Sequence, residues 1–322
     1  MQGDMPIDPN LARVEELWFD DGGTIIQAET CIFRVSRAIL AARSLIFKDI
    51  FTAPQSPPSE SMDGCPIVRL TDSAADVTVF FKAIFDSEFF EPYPARTDLN
   101  AIIGVLRLSH KYDVAYLRRR ALVHLSSGYR TVPPVIHEDT YLPTDGSWAP
   151  PSSASDFIRL IHLAREVSSP WILPPVFYTL TADFGTPEVA GNVLFHDLLS
   201  EDDRQKFLHG ASLQASCVLD ALCFLYEPAT ITGCTGPAGA CAVERLHALK
   251  HVRVGLKAHR ANPLHIFQFE PGSPVMGVCA VCFETLLDAY NQGRRAIWAQ
   301  LPEMYGLPEW AELEQMRAAA VG

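Results

Sequence analysis

The sequence predicts an α+β protein with a small N-terminal sheet flanked by helices, followed by a mainly α-helical C-terminal region. Short β-prone runs separated by turn residues are confined to the first 70 residues. Apolar residues at helical spacing recur from residue 73 onwards. A stretch at 131–155 is rich in proline, serine, threonine and glycine, which predicts a linker.

The length of 322 residues suits two domains. We therefore place an N-terminal tail at 1–14, a first domain at 15–130, the linker at 131–155 and the helical region at 156–322.

The predicted sheet begins with a β-hairpin. An Asp-Gly step at 21–22 lies between the β-prone runs 17–19 and 24–28, a pattern typical of hairpin turns. Apolar alternation predicts a further strand at 33–35, and another is predicted at 66–70.

Helix-capping residues define the first domain's helices. Ser36 and Ser44 each precede a short apolar run, as N-cap residues do. Ser73 opens the clearest helix, and Asp98 and Asp113 open two more. The Ser73 helix has one apolar face, formed by Val77, Phe80, Phe81, Ile84 and Phe85 at i, i+3, i+4, i+7 and i+8.

The C-terminal region is predicted to be helical from Phe157 onwards. Thr186-Pro187 and Ser200 are helix start signals, the second because three acidic residues follow it. A Gly, Thr and Pro rich loop is predicted at 228–240, and a long helix at 279–298.

The sharpest chemical signal is the Cys-x-x-Cys of Cys279 and Cys282. Two thiolates at this spacing can bind one metal ion, as in zinc knuckles. A tetrahedral zinc site needs two more ligands, and Cys234 and Cys241 are the nearest cysteine pair in sequence.

Other interpretations of this region remain open. His247 and His251 are an alternative ligand pair, and the cysteines also fit buried structural thiols or a redox pair. Cys217 and Cys223 lie among apolar helical residues and are predicted core. The glycines after residue 232 predict a plain loop, since no Lys-Ser/Thr ending follows them.

The order of elements over roughly 15–130 resembles the BTB/POZ domain. The residues that carry the resemblance are Phe33, Val35, Leu40, Ser44, Phe47, Phe51, Phe81, Ile84 and Phe85. Ser36 stands where the family usually has a histidine. The chain is similar to BTB proteins of mushroom-forming (basidiomycete) fungi, and 157–225 is loosely similar to the BACK-like helical domains that follow BTB domains in adaptor proteins.

The resemblance implies a protein-interaction scaffold that forms a homodimer through the helix at 36–43 and the strand at 17–19. It also implies a substrate-adaptor role for a cullin-type ubiquitin ligase, with contacts around 74–85 and 89–93. We expect no enzyme, since no hydrolase, P-loop, zinc-protease or dinucleotide motif is found.

Two alternatives remain. One is a transcription co-regulator that dimerises and uses the basic stretch 245–260 against a nuclear partner. The other is an enzyme or zinc protein that uses the C-terminal cysteines and histidines.

Charge and hydropathy disfavour two kinds of partner, nucleic acid and membranes. With 38 acidic against 26 basic residues, the net charge of −12 disfavours nucleic acid and anionic lipid. The N-terminus lacks the basic and apolar regions of a secretory signal, and we see no apolar run near the ~20 residues that span a bilayer. We expect a cytoplasmic or nuclear protein with no membrane partner.

Overall fold

The computed structural model describes residues 11–53, 61–132, 147–184, 191, 193–227, 231–255, 262–267 and 277–322. The chain divides into two units, one comprising 1–128, 143–150 and 320–322, the other 129–142 and 151–319. The first is mixed α and β, and the second is helical. The predicted α+β class with a helical C-terminal part is confirmed at this level.

Five short strands form one sheet in the first unit. They are β1 (Ala12–Trp18), β2 (Thr24–Ala28), β3 (Cys31–Val35), β4 (Ser61–Met62) and β5 (Cys65–Leu70), in the spatial order β1-β3-β2-β5-β4. β2 is antiparallel to β3 and parallel to β5, whereas β1 runs parallel to β3 at the sheet edge.

The predicted hairpin between 17–19 and 24–28 is wrong. β2 forms its hairpin with β3 through a tight turn at Glu29, whose φ is 50°, and β1 lies on the far side of β3. The physical reason is burial. β2 and β3 bury almost every side chain, whereas β1 is charged and buries only Leu17, so β1 suits an edge.

Five helices complete the first unit. They are α1 (Arg37–Arg43), α2 (Leu45–Thr52), α3 (Ala74–Phe85), α4 (Leu99–Lys111) and α5 (Ala115–Gly128). The side chains of Ser36, Ser44, Ser73 and Asp98 accept hydrogen bonds from backbone amides three residues further on, as their predicted cap positions require.

The residues of the BTB-like pattern converge in the core of this unit. Phe33, Val35, Leu40, Ser44, Phe47, Phe51 and Phe81 are buried, and Ile84 and Phe85 are partly buried. Phe81 is central, because its ring centroid lies 5.5 Å from that of Phe33 and 6.3 Å from that of Phe47. Aromatic packing thus joins the sheet to α2 and α3.

Ser44 connects two helices through its hydroxyl group. The oxygen accepts a hydrogen bond from the amide of Phe47 at 3.0 Å and donates one to the carbonyl of Tyr112 at 2.6 Å. The first bond caps α2, and the second fixes α2 to the end of α4. Since the side chain is buried, losing it would leave the Tyr112 carbonyl without this donor.

The second unit consists of helices. They are α6 (Ala154–Glu166), α7 (Leu173–Phe184), α8 (Glu201–Ala221), α9 (Cys223–Tyr226), α10 (Ala240–Gly255), α11 (Ala280–Met304) and α12 (Trp310–Val321), with 3₁₀ turns at Pro170–Ile172 and Pro263–His265. One apolar cluster joins α8, α9, α10 and α11, and its buried members include Val218, Phe224, Leu225, Ala248 and Leu286.

A buried ion pair fixes the start of α8. Asp203 is 3% exposed, and its carboxylate accepts bonds from Arg165 Nη2 at 2.7 Å and Nε at 3.1 Å. The predicted cap Ser200 exchanges two bonds with Asp203, from the Asp203 amide and to its carboxylate. The buried charge is therefore fully paired.

α11 ends in a polar network around Tyr305. The Tyr305 hydroxyl contacts Thr181 Oγ1 at 3.0 Å and donates to Gln214 Oε1 at 2.5 Å. Its ring stacks on Phe177, with centroids 5.1 Å apart. A Cβ at Gly210 would lie 2.0 Å from the ring, so α8 needs a glycine there.

The predicted tail and linker are described in part. Residues 1–10 and 133–146 lie outside the described residues, and β1 already begins at Ala12. Ser147 and Trp148, within the predicted linker, are buried, and the Trp148 indole N–H donates to the His124 carbonyl at 3.1 Å. This end of the segment packs on the first unit.

One described stretch, Glu201–Tyr226, is long and apolar enough, by length and composition alone, to cross a membrane. This qualifies the expectation that no apolar run reaches that length. In the fold, 44% of its apolar window is buried, and buried core helices pass the same test. Three acidic residues occupy its first turn.

We predict that Ser44→Ala lowers the free energy of unfolding by about 1–3 kcal/mol, because it removes a helix cap and leaves a buried carbonyl without its donor. Urea denaturation measures the change. Ser36→Ala is the matched control, since Ser36 also caps a helix but through an exposed 3.4 Å bond. An equal loss in both variants would contradict the role of the Tyr112 bond.

Candidate metal centre

Four cysteine side chains converge in the second unit. The Sγ atoms of Cys234, Cys241, Cys279 and Cys282 all lie within 4.8 Å of one another. The Sγ atoms of Cys234 and Cys279 are 3.9 Å apart. The structure therefore brings the two cysteine pairs predicted from the sequence to one point, although Cys234 and Cys282 are 48 positions apart in the chain.

Two helix starts and one loop position these sulfurs. Cys234 lies on the loop before α10, and Cys241 lies in the first turn of α10. Cys279 is the N-cap of α11, and Cys282 lies in the first turn of that helix. Helix N-termini favour negative charge, so this placement stabilises thiolates.

Hydrogen bonds lower the pKa of the Cys279 thiol. The Cys282 amide, followed by the hydroxyl and amide of Thr235, donates to its sulfur and lowers its pKa from 9.0 to about 5. Burial, followed by hydrogen bonds with the neighbouring thiols, raises the pKa of Cys282. Cys279 therefore favours the thiolate form, whereas Cys282 keeps its proton until a cation binds beside it.

Cys241 is intermediate between these two cases. The Cys279 amide donates to its sulfur at 3.4 Å, which lowers the pKa. Burial and the neighbouring thiols outweigh this bond, and the pKa of Cys241 is raised. A divalent cation would therefore displace protons from Cys241 and Cys282 on binding.

Gly236 lets the backbone approach the sulfurs closely. A Cβ at this position would lie 2.6 Å from Cys241 Sγ and 3.8 Å from Cys234 Sγ. Sequence reasoning assigned this segment to a plain loop and missed the contact. The signal was present as Cys234-Thr235-Gly236, a ligand followed two positions later by the one residue without a side chain.

The other predicted ligands lie elsewhere. His247 is half exposed, with Nδ1 3.8 Å from the Glu244 carboxylate, and it does not join the cluster. The His251 side chain lies outside the described residues. Cys217 is buried and Cys223 partly buried, and burial raises the pKa of both thiols.

The first residue of the basic stretch 245–260 does not contribute to an exposed basic face. Arg245 is buried, at 3% exposure, and residues 256–260 lie outside the described residues. Arg245 instead borders a cavity of about 350 Å³ beside the sulfur cluster, together with the Gly-rich loop and the first turn of α10. The sequence pattern placed this arginine in a basic surface and did not predict its burial.

No protein-family model matches the chain, no curated protein matches it, and no solved structure matches it. The residues and their geometry therefore carry the functional argument.

We predict that Gly236→Ala weakens divalent-metal binding by roughly tenfold or more, because crowding a packed site costs about 1–3 kcal/mol. Competition with a chromophoric chelator measures the affinity. Ala238→Ser, at an exposed position of the same loop, is the control and should bind like the unmodified chain. Equal affinity in both variants would show that the loop does not support the sulfurs.

Proposed function

We propose that this chain is a protein–protein interaction scaffold that self-associates through its N-terminal unit, while a structural zinc ion holds its helical unit together. It acts as a binding protein rather than an enzyme. The observation that carries the proposal is a group of exposed aliphatic side chains on α1 and α2.

Three large aliphatic side chains on the α1–α2 pair face solvent. Ile39 is 43% exposed, Leu45 65% and Ile46 38%. The three lie within eight positions of the chain, and a contiguous apolar patch on a monomer is a common mark of a protein-binding surface. A second copy is the occupant that the BTB-like resemblance implies.

The neighbouring sheet edge supports the same interface. β1 is an edge strand, and Trp18 at its end lies opposite Arg34, two residues before the cap of α1. Its outer hydrogen-bonding groups can pair with another strand. A twofold dimer would cover the edge and the aliphatic group with the same surface of a second chain.

Zinc fits the sulfur cluster. Tetrahedral zinc with Zn–S bonds of 2.3 Å needs sulfurs about 3.8 Å apart, and the Cys234–Cys279 separation is 3.9 Å. Four thiolates close the coordination sphere and leave no open position for a substrate, which is the arrangement of structural rather than catalytic sites.

The alternatives have weaker support. The co-regulator interpretation relied on a basic surface at 245–260, and its first member is buried. The enzyme interpretation needs an open metal position, which a four-cysteine site does not offer. A cullin contact at 74–85 and 89–93 and a cytoplasmic or nuclear location stay proposals from the resemblance and the acidic charge. A cullin pull-down with the intact chain and imaging of a tagged chain test them.

We predict that the unmodified chain is a dimer at micromolar concentration and that Leu45→Asp shifts it towards monomer, because a buried, unpaired charge opposes association. Light scattering measures the mass. Leu219→Asp is the matched control, since Leu219 is 67% exposed in the other unit and should leave the dimer intact. A monomeric unmodified chain would refute the proposal.

We predict one zinc ion per chain by elemental analysis, and none in Cys279→Ser, which lacks a ligand thiolate. Zinc binding should release protons from at least Cys241 and Cys282, so the affinity should fall as pH falls. Calorimetry in buffers of different ionisation enthalpy measures the release. Cys217→Ser, a buried cysteine outside the cluster, should retain zinc.

A further inference from the structure

Arg245 is a buried cation without a protein counter-charge among the described residues. It is 3% exposed, and its Nε donates to the Leu225 carbonyl at 3.2 Å. Within the described ranges its two terminal nitrogens bond to no side chain, and no carboxylate pairs with it. Burying a guanidinium without a counter-charge is unfavourable, so a negative group near Arg245 would stabilise it.

The position of Arg245 on α10 indicates where a negative group that stabilises it would lie. Arg245 follows Cys241 by four residues, so both lie on one face of the helix. Helical side chains lean towards the N-terminus, which directs Arg245 back towards the turn that holds Cys241. The same cavity of about 350 Å³ is lined by Arg245, Cys234, Cys241 and Cys282.

We propose that Arg245 is the counter-ion of the zinc–thiolate centre, an inference that rests on the proposed zinc site. One Zn²⁺ with four thiolates carries a net charge of −2, and a guanidinium on the same cavity wall offsets part of it. Zinc in turn keeps all four cysteines in the thiolate form, which gives the buried arginine its counter-charge.

A free anion in the cavity is the competing occupant. The α10 N-terminus and the guanidinium both attract anions. The thiolate centre borders the same cavity with a net negative charge, however, and would repel a second anion. The charges therefore favour the thiolates as the partner of Arg245.

The inference links the metal to the apolar core. The carbonyl that accepts from Arg245 belongs to Leu225, a member of the apolar cluster that also contains Phe224 and Leu286. Arg245 thus contacts this cluster through Nε and also lines the cavity beside the sulfurs. It is a positioning residue rather than a zinc ligand.

The test compares zinc affinities of full-length variants by chelator competition. Arg245→Met keeps the length but removes the charge, and it should bind zinc about 10- to 100-fold more weakly, as loss of outer-shell partners does. Arg245→Lys keeps the charge and should stay within about threefold of the unmodified chain. Arg294→Met is the control, because Arg294 is also buried but lies over the Tyr290 ring.

Several outcomes would overturn the inference. Unchanged affinity in Arg245→Met would remove the charge argument, and a loss in Arg245→Lys as large as in Arg245→Met would assign the effect to shape. If Arg245→Met does not fold, Arg245→Gln, which also removes the charge, takes its place with the same thresholds. Inorganic phosphate that binds the zinc-loaded chain in an Arg245-dependent manner would make the anion the counter-ion. An unmodified chain without zinc would refute the zinc site and this inference together.

Discussion

Four sulfur atoms within 4.8 Å of one another are the constraint on which the helical unit depends. They join a loop, the start of α10 and the start of α11, which are far apart in sequence. Uncoordinated thiols give little energy for such a convergence, because their hydrogen bonds are weak. The proposed metal–thiolate centre would supply that energy, since binding free energy at a structural site is folding free energy.

The position of α11 follows from its two ends. Its N-terminus carries Cys279 and Cys282, and its C-terminus leads into Tyr305, which packs against Gly210 and bonds to Gln214 of α8. Between them, Leu286 and Tyr290 enter the apolar cluster. A long helix held at both ends leaves little freedom for α8 and α9, which pack against it. This arrangement suits a rigid structural unit.

The sequence predicted what local chemistry determines. Caps such as Ser44 and Ser200, and the apolar face of α3, depend on residues within a few positions, so they were readable. The hairpin prediction failed because a turn at Asp21-Gly22 specifies a reversal but not which strand lies beside it. Cysteine spacing identified the four candidate metal ligands, but choosing them over the histidine pair needed the fold. Gly236 and Arg245 were missed because their roles depend on spatial neighbours.

Arg245 differs from Asp203 and Arg294, which are also buried in the helical unit, in the groups that stabilise its charge. Asp203 receives two bonds from Arg165, and Arg294 lies 5.6 Å over the Tyr290 ring. Among the described residues Arg245 bonds to a carbonyl alone, a neutral acceptor that offsets part of a full charge. Three of the cysteines line the same cavity, and their thiols become charged together only when a cation holds them. In the proposed zinc-bound state the arginine and the metal would therefore stabilise each other.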